Sequence, residues 1–139
     1  MNTIKELINE IKLIEKKHQK NECYYIIDHS LGYYFDWTLP PEYKRSLFAN
    51  TKPVWNASSD MYYFMIKFYE QVTGNMPGVN FQMNKLAVRK LMSCLDTDDK
   101  GKKAIAWLFV RCTDISEMRR IKNASEFLNS EAFRYISEI

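Results

Sequence analysis

The stretch SSDMYYFMIKFYEQVTG, residues 58–74, constrains this chain more than any other segment. Met61, Phe64, Met65, Phe68 and Val72 recur at helical spacing, and Tyr62, Ile66 and Tyr69 form a second stripe beside them. A helix apolar over so much of its circumference has to be enclosed by other elements. Residues 58–74 are therefore expected to form a central helix. Ser58, Ser59 or Asp60 would cap its start, and Gly74 would close it in the left-handed conformation that ends many helices.

The chain must then reverse through NMPGVN before FQMNKLAVRKLMSCLD takes it up again. There Val88, Leu91, Met92 and Leu95 share one face while Lys85 and Arg89, four apart, share the other, which predicts a peripheral helix with a solvated side. Upstream, Ile4, Leu7, Ile8, Ile11 and Ile14 predict an amphipathic helix over residues 3–19, with Thr3 and Glu6 spaced as a capping box. PEYKRSLFAN begins with a proline suited to a first helical turn. In KKAIAWLFVRC, the spacing of Ile105, Leu108, Phe109 and Cys112 favours helix over strand, and TDDKGKK before it reads as a charged loop. Asp114 and Glu117 suggest a capping box opening a helix at ISEMRRIKN, and ASEFLNSEAFRYISEI reads as a turn followed by a last helix from Ser130.

One segment departs from this pattern. CYYIIDHSLGYYFDWTLPP has two aromatic-rich runs flanking a short turn with Gly32, the signature of a small β-hairpin near residues 23–39, although irregular aromatic packing across the helices fits as well. The fold class expected is mainly α: a single domain over 1–139 of five to six helices. Residues 1–60 would supply a helix and the aromatic region, and residues 61–139 a helical bundle.

Composition narrows the function classes. With 46% hydrophobic and 14% aromatic residues the chain is built to fold, since disordered chains are poor in aromatics. The +3 charge lies wholly after residue 60, because residues 1–60 hold eight basic and eight acidic side chains. That is less basic than a dedicated phosphate binder, but it permits local cationic clusters. Cys23, Cys94 and Cys112 are scattered, with only His18 and His29 as other soft ligands, so neither a disulfide framework nor a zinc site is read. Asp96, Asp98 and Asp99 lack the alternation and distal Glu of a calcium loop. No apolar leader or long apolar run is present, so a cytoplasmic protein without membrane association is expected.

Catalysis leaves no local signature. There is no G-x-S-x-G, and the glycines at 32, 74, 78 and 101 make no phosphate loop. The chain is accordingly expected to be non-enzymatic, with no cofactor and no small-molecule substrate. The cationic candidates for nucleic-acid binding are Lys85, Arg89 and Lys90, then Lys100, Lys102 and Lys103, then Arg119, Arg120 and Lys122. Ordinary decoration of exposed helix faces would place the same residue types there. Tyr24, Tyr33, Tyr34 and Trp37 are candidates for a partner-binding aromatic patch, against the alternative that they pack inward.

FYEQVTGNMPGVN with Tyr69, Thr73 and Gly74, then KLAVRKLMSCL, AIAWLFV and ASEFLNSEAFRYI follow one another over residues 61–135. In that order they resemble the helical C-terminal domains of phage replisome-organiser and DnaD-type primosomal proteins. The resemblance implies DNA binding and recruitment of replicative helicase machinery during initiation. Residues 1–60 do not match the winged-helix domain that usually precedes such a region, so what is implied is an adaptor of a phage or mobile element rather than an autonomous origin-binding protein. The competing expectation is a phage-encoded inhibitor that occupies a host protein, such as a nucleic-acid-binding effector.

Overall fold

Residues 3–25 and 39–138 are described by the computed structural model, and among them lie seven α-helices and no strand. The helices are α1 (Thr3–Gln19), α2 (Pro41–Phe48), α3 (Ala57–Thr73), α4 (Leu86–Cys94), α5 (Asp99–Cys112), α6 (Ala124–Leu128) and α7 (Glu131–Ser137), with a 3-10 turn over Phe81–Met83. The expected hairpin, apart from its two ends, falls outside the described residues, as do His29, Tyr33, Tyr34 and Trp37.

The central helix is α3. Met61, Tyr62, Phe64, Met65, Ile66, Phe68 and Tyr69 are all buried, because α1, α4 and α5 each pack against it. Gly74 closes it at φ +76°, and its N–H donates to the Glu70 carbonyl. Its start differs from expectation. Asn56, not Ser58, Ser59 or Asp60, is the cap: its side chain accepts the Ser59 N–H at 3.1 Å while Ser59 Oγ accepts the Asn56 N–H at 3.1 Å. The carboxylate of Asp60 is wholly buried and has other work.

Around α3 the amphipathic helices turn in their apolar stripes. On α1, Leu7, Ile11 and Ile14 are buried, and the helix docks on α3 and α6. On α5, Ile105, Leu108, Phe109 and Cys112 are buried, with Phe109 in ring contact with Tyr69 at 5.3 Å and Phe81 at 5.6 Å. Each such fully buried side chain stabilises the fold by ~1.5–3 kcal/mol. Burial also raises the pKa of the Cys112 thiol well above its ordinary value, as expected of an inert core thiol. A smaller cluster of Leu39, Tyr43 and Leu47, backed by Trp55 and Tyr63, forms under α2.

Three local expectations are corrected. TDDKGKK is a loop only as far as Asp98, which caps α5 by accepting the Gly101 N–H at 2.7 Å, so Lys100 and Lys102 lie in the first turn of that helix and Lys103 begins the second. ASEFL is the short helix α6, capped by Asn123, rather than a turn. The helix expected at ISEMRRIKN does not form. Asp114 Oδ1 accepts the Ser116 N–H at 2.9 Å, two residues on rather than three, and the chain bends into turns that carry Arg120 inward.

Candidate binding surface

Two polar junctions are closed. At the first, Arg120 is 1% exposed. Its Nη1 and Nη2 donate to the two carboxylate oxygens of Glu42 at 2.8 and 3.1 Å, its Nε donates to the Asp114 carbonyl at 3.0 Å, and its guanidinium lies 5.0 Å from the Tyr62 ring centroid. Ser59 Oγ adds a bond to Glu42 at 2.7 Å. Burial pushes the Glu42 carboxyl up, but the Arg120 bonds and charge outweigh it and hold the group below its ordinary value. Burial also pushes the Tyr62 hydroxyl up to about 12. Arg120, expected among the nucleic-acid contacts, is therefore a structural brace, since its donors are turned inward.

At the second junction, Asp60 collects four donors: His18 Nε2 at 2.7 Å, the Tyr24 N–H at 2.7 Å, the Tyr25 N–H at 3.1 Å and Trp55 Nε1 at 2.8 Å. His18 Nδ1 accepts the Ala124 N–H at 3.0 Å, which places the ring proton on Nε2. Both imidazole nitrogens are thus committed, and neither is open to serve a nucleophile. Cys23 lies beside this junction, and burial together with the Asp60 charge raises its pKa, the reverse of what activates a thiol. Tyr24, expected in a partner patch, is partly buried against the core and touches Tyr25 edge-on at 4.9 Å. Among the described residues no group of three metal-ligating side chains occurs, and no helix is long and apolar enough to cross a membrane.

The remaining cations differ in how free they are. Lys103 pairs with Asp99 at 3.2 Å, Arg119 with Asp114 at 3.4 Å, and Lys100 lies 4.7 Å from the Tyr135 ring centroid. Lys102 is half-buried and Lys122 exposed. Lys85, Arg89 and Lys90 are all exposed and have no ion-pair partner among the described residues. Lys85 stands at the N-cap of α4, and the helix contains no acidic side chain. No Asp or Glu occurs anywhere between Glu70 and Asp96. Cations at a helix N-terminus add to the positive end of the helix dipole instead of neutralising it, so this face carries an uncompensated positive field.

Beside it is an apolar groove that the sequence did not single out. A cleft of about 210 Å³ lies between the 3-10 turn, the C-terminal half of α5 and the turns after it. A second depression of about 180 Å³ adjoins it, sharing the lining residues Phe81, Gln82 and Ile115. Gln82 Nε2 fixes the floor by donating to Tyr62 Oη at 3.0 Å and to the Thr113 carbonyl at 3.2 Å. Met83, 77% exposed, lines the cleft, and Met118, 90% exposed, precedes the lining residue Arg119. Methionines left in water were the available signal, and the core periodicity had no use for either. Compared with known proteins, the chain matches no protein-family model, no curated protein and no solved structure.

Proposed function

We propose that this protein is a non-enzymatic adaptor of a phage or mobile element that binds DNA through the cationic face of α4 and a protein partner beside it. The observation that carries the reading is the set Lys85, Arg89 and Lys90: three exposed cations without an ion-pair partner among the described residues, on a short helix without an acid, the first of them at the positive end of the helix dipole. Such a face repels its own charges and is relieved by an anionic backbone. Phosphates docked there would release counterions, giving a salt-dependent affinity. Replication initiation, with recruitment of a helicase, is the setting implied by the resemblance of residues 61–135.

The test is a fluorescence-anisotropy titration against single- and double-stranded DNA at two salt concentrations. Three phosphate contacts lower the duplex affinity about 40-fold between about 50 and about 200 mM salt, from a slope of roughly −0.9 per contact. Absence of binding at the lower salt overturns the DNA part and leaves the inhibitor of a host protein as the better reading.

A further inference from the structure

An imidazole accepts a hydrogen bond only through a nitrogen that carries no proton. His18, in the last turn of α1, has a side chain 7% exposed and uses both of its nitrogens. Nε2 donates to Asp60 of α3 at 2.7 Å, and Nδ1 accepts the N–H of Ala124, the first residue of α6, at 3.0 Å. The ring ties the three helices together in its neutral form alone. A second proton, on Nδ1, would set two N–H donors against each other across 3.0 Å, and Ala124 is buried, so water is not at hand to take either.

The groups around the ring pull in opposite directions. The Asp60 carboxylate and the negative C-terminal end of α1 both welcome a positive ring, whereas the Ala124 N–H opposes one. Cys23 lies beside Asp60 with its thiol pKa raised, so it adds no charge there. On α1, Glu15 is half-buried one turn before His18, and Lys17 is paired with Glu22. On the α6 side, Lys122 and Glu126 are both exposed and oppose each other in sign. Asp60 keeps three further donors, the N–H groups of Tyr24 and Tyr25 and Trp55 Nε1, whatever the ring does.

We propose that His18 is a pH-sensitive latch: as pH falls and Nδ1 gains a proton, the ring keeps Asp60 and lets go of Ala124, so that the start of α6 comes away from α1 while α1 stays tied to α3. The opening is local. Phe127 holds the far end of α6 through its ring contacts with Phe64 at 5.9 Å and Phe133 at 5.8 Å. The latch is independent of DNA binding by α4.

Proton and nitrogen NMR of the full chain, titrated from about pH 8 to about pH 5 where imidazoles change charge, tests this. Ring spectra should show Nδ1 bare at the upper pH and both nitrogens protonated at the lower, and the variant His18→Gln identifies those signals by removing them. Protection of the Ala124 amide, corrected for the intrinsic pH dependence of exchange, should fall at least about tenfold with the midpoint of the ring, while protection at Tyr24 and Tyr25 holds. In His18→Gln a neutral amide stands in place of the ring, and the pH dependence at Ala124 should vanish. A ring that titrates without change at Ala124, or one that stays neutral until the whole chain unfolds, would overturn the latch. So would the same pH dependence at Ala124 in His18→Gln. Loss of protection at Tyr24 and Tyr25 together with Ala124 would overturn it too, because that marks general opening and not the exchange of one partner.

Discussion

At Arg120 a guanidinium is enclosed by Glu42, Asp114, Ser58 and Tyr62, whereas on α4 three cations stand in solvent with no acid on their helix. Both regions are basic in the sequence, and both were candidates for the same ligand. The difference lies in what the fold supplies around them. A buried charge survives only where a matched partner and hydrogen bonds replace its lost water, and a site so closed has nothing left for a ligand. An exposed cation keeps its water and remains available. Burial with complete pairing thus separates a brace from a binding group, and the four-donor cage around Asp60 belongs with the braces.

Arg120→Ala should break this contrast most severely. It leaves Glu42 buried and alone, and chemical denaturation is expected to show a loss of about 3–5 kcal/mol. The paired replacement Arg120→Met with Glu42→Leu should recover most of that loss, because the desolvation of both ions disappears together. A double variant as unstable as the single one would show that the polar geometry itself, and not the stranded charge, sets the stability.

Asp60→Ala comes next, at about 2–4 kcal/mol by the same measurement, since four buried or half-buried donors lose their acceptor. The loss should be accompanied by faster amide exchange at Tyr24, Tyr25 and Ala124, whose N–H groups depend on Asp60 directly or through His18.

A smaller effect is expected from pH. The folded-state pKa of Glu42 is lowered from 4.5, so the folded protein holds its proton less tightly than the unfolded chain does. Its contribution is therefore fully present above about 4.5 and drains away as pH falls through the lower folded value. Denaturation curves taken between about pH 5 and pH 3 should show this decline, and the Arg120→Met, Glu42→Leu variant should lack Glu42's share of it.

The smallest effect on stability belongs to the triple variant Lys85→Ala, Arg89→Ala and Lys90→Ala. Stability should change by less than about 0.5 kcal/mol per position, as at exposed sites without partners. Duplex binding should lose about 3 from its salt slope. An unchanged slope would remove α4 from the binding surface and erase the contrast with Arg120.

Much of this was legible in the residues. The stripes on α1, α3 and α5 follow from periodicity, because a helix of that composition has no other way to hide its apolar side chains, and Gly74 ends α3 because a residue without a Cβ adopts positive φ freely. The face of α4 bearing Lys85 and Arg89 was legible for the same reason. What local pattern misjudged were the polar residues whose partners are distant in the chain. Asp60 has the sequence position of a cap but serves His18, Tyr24, Tyr25 and Trp55, and Asn56 caps instead. Asp114 and Glu117 have the spacing of a capping box, yet turns replace the helix where Arg120 passes inward to Glu42.

The sequence by itself determined that the chain is mainly helical, that α3 is its enclosed centre and that α4 shows charge to solvent. Those properties are periodic and local, and the separation of apolar from polar groups enforces them whatever the partner elements are. Only the tertiary structure decided that Arg120 is a brace, that Asp60 and His18 tie α1, α3 and α6 together, and that Met83 and Arg119 share one groove. Each depends on side chains brought together across the chain, 78 residues apart for Arg120 and Glu42 and 106 for His18 and Ala124, and no local spacing encodes such a meeting.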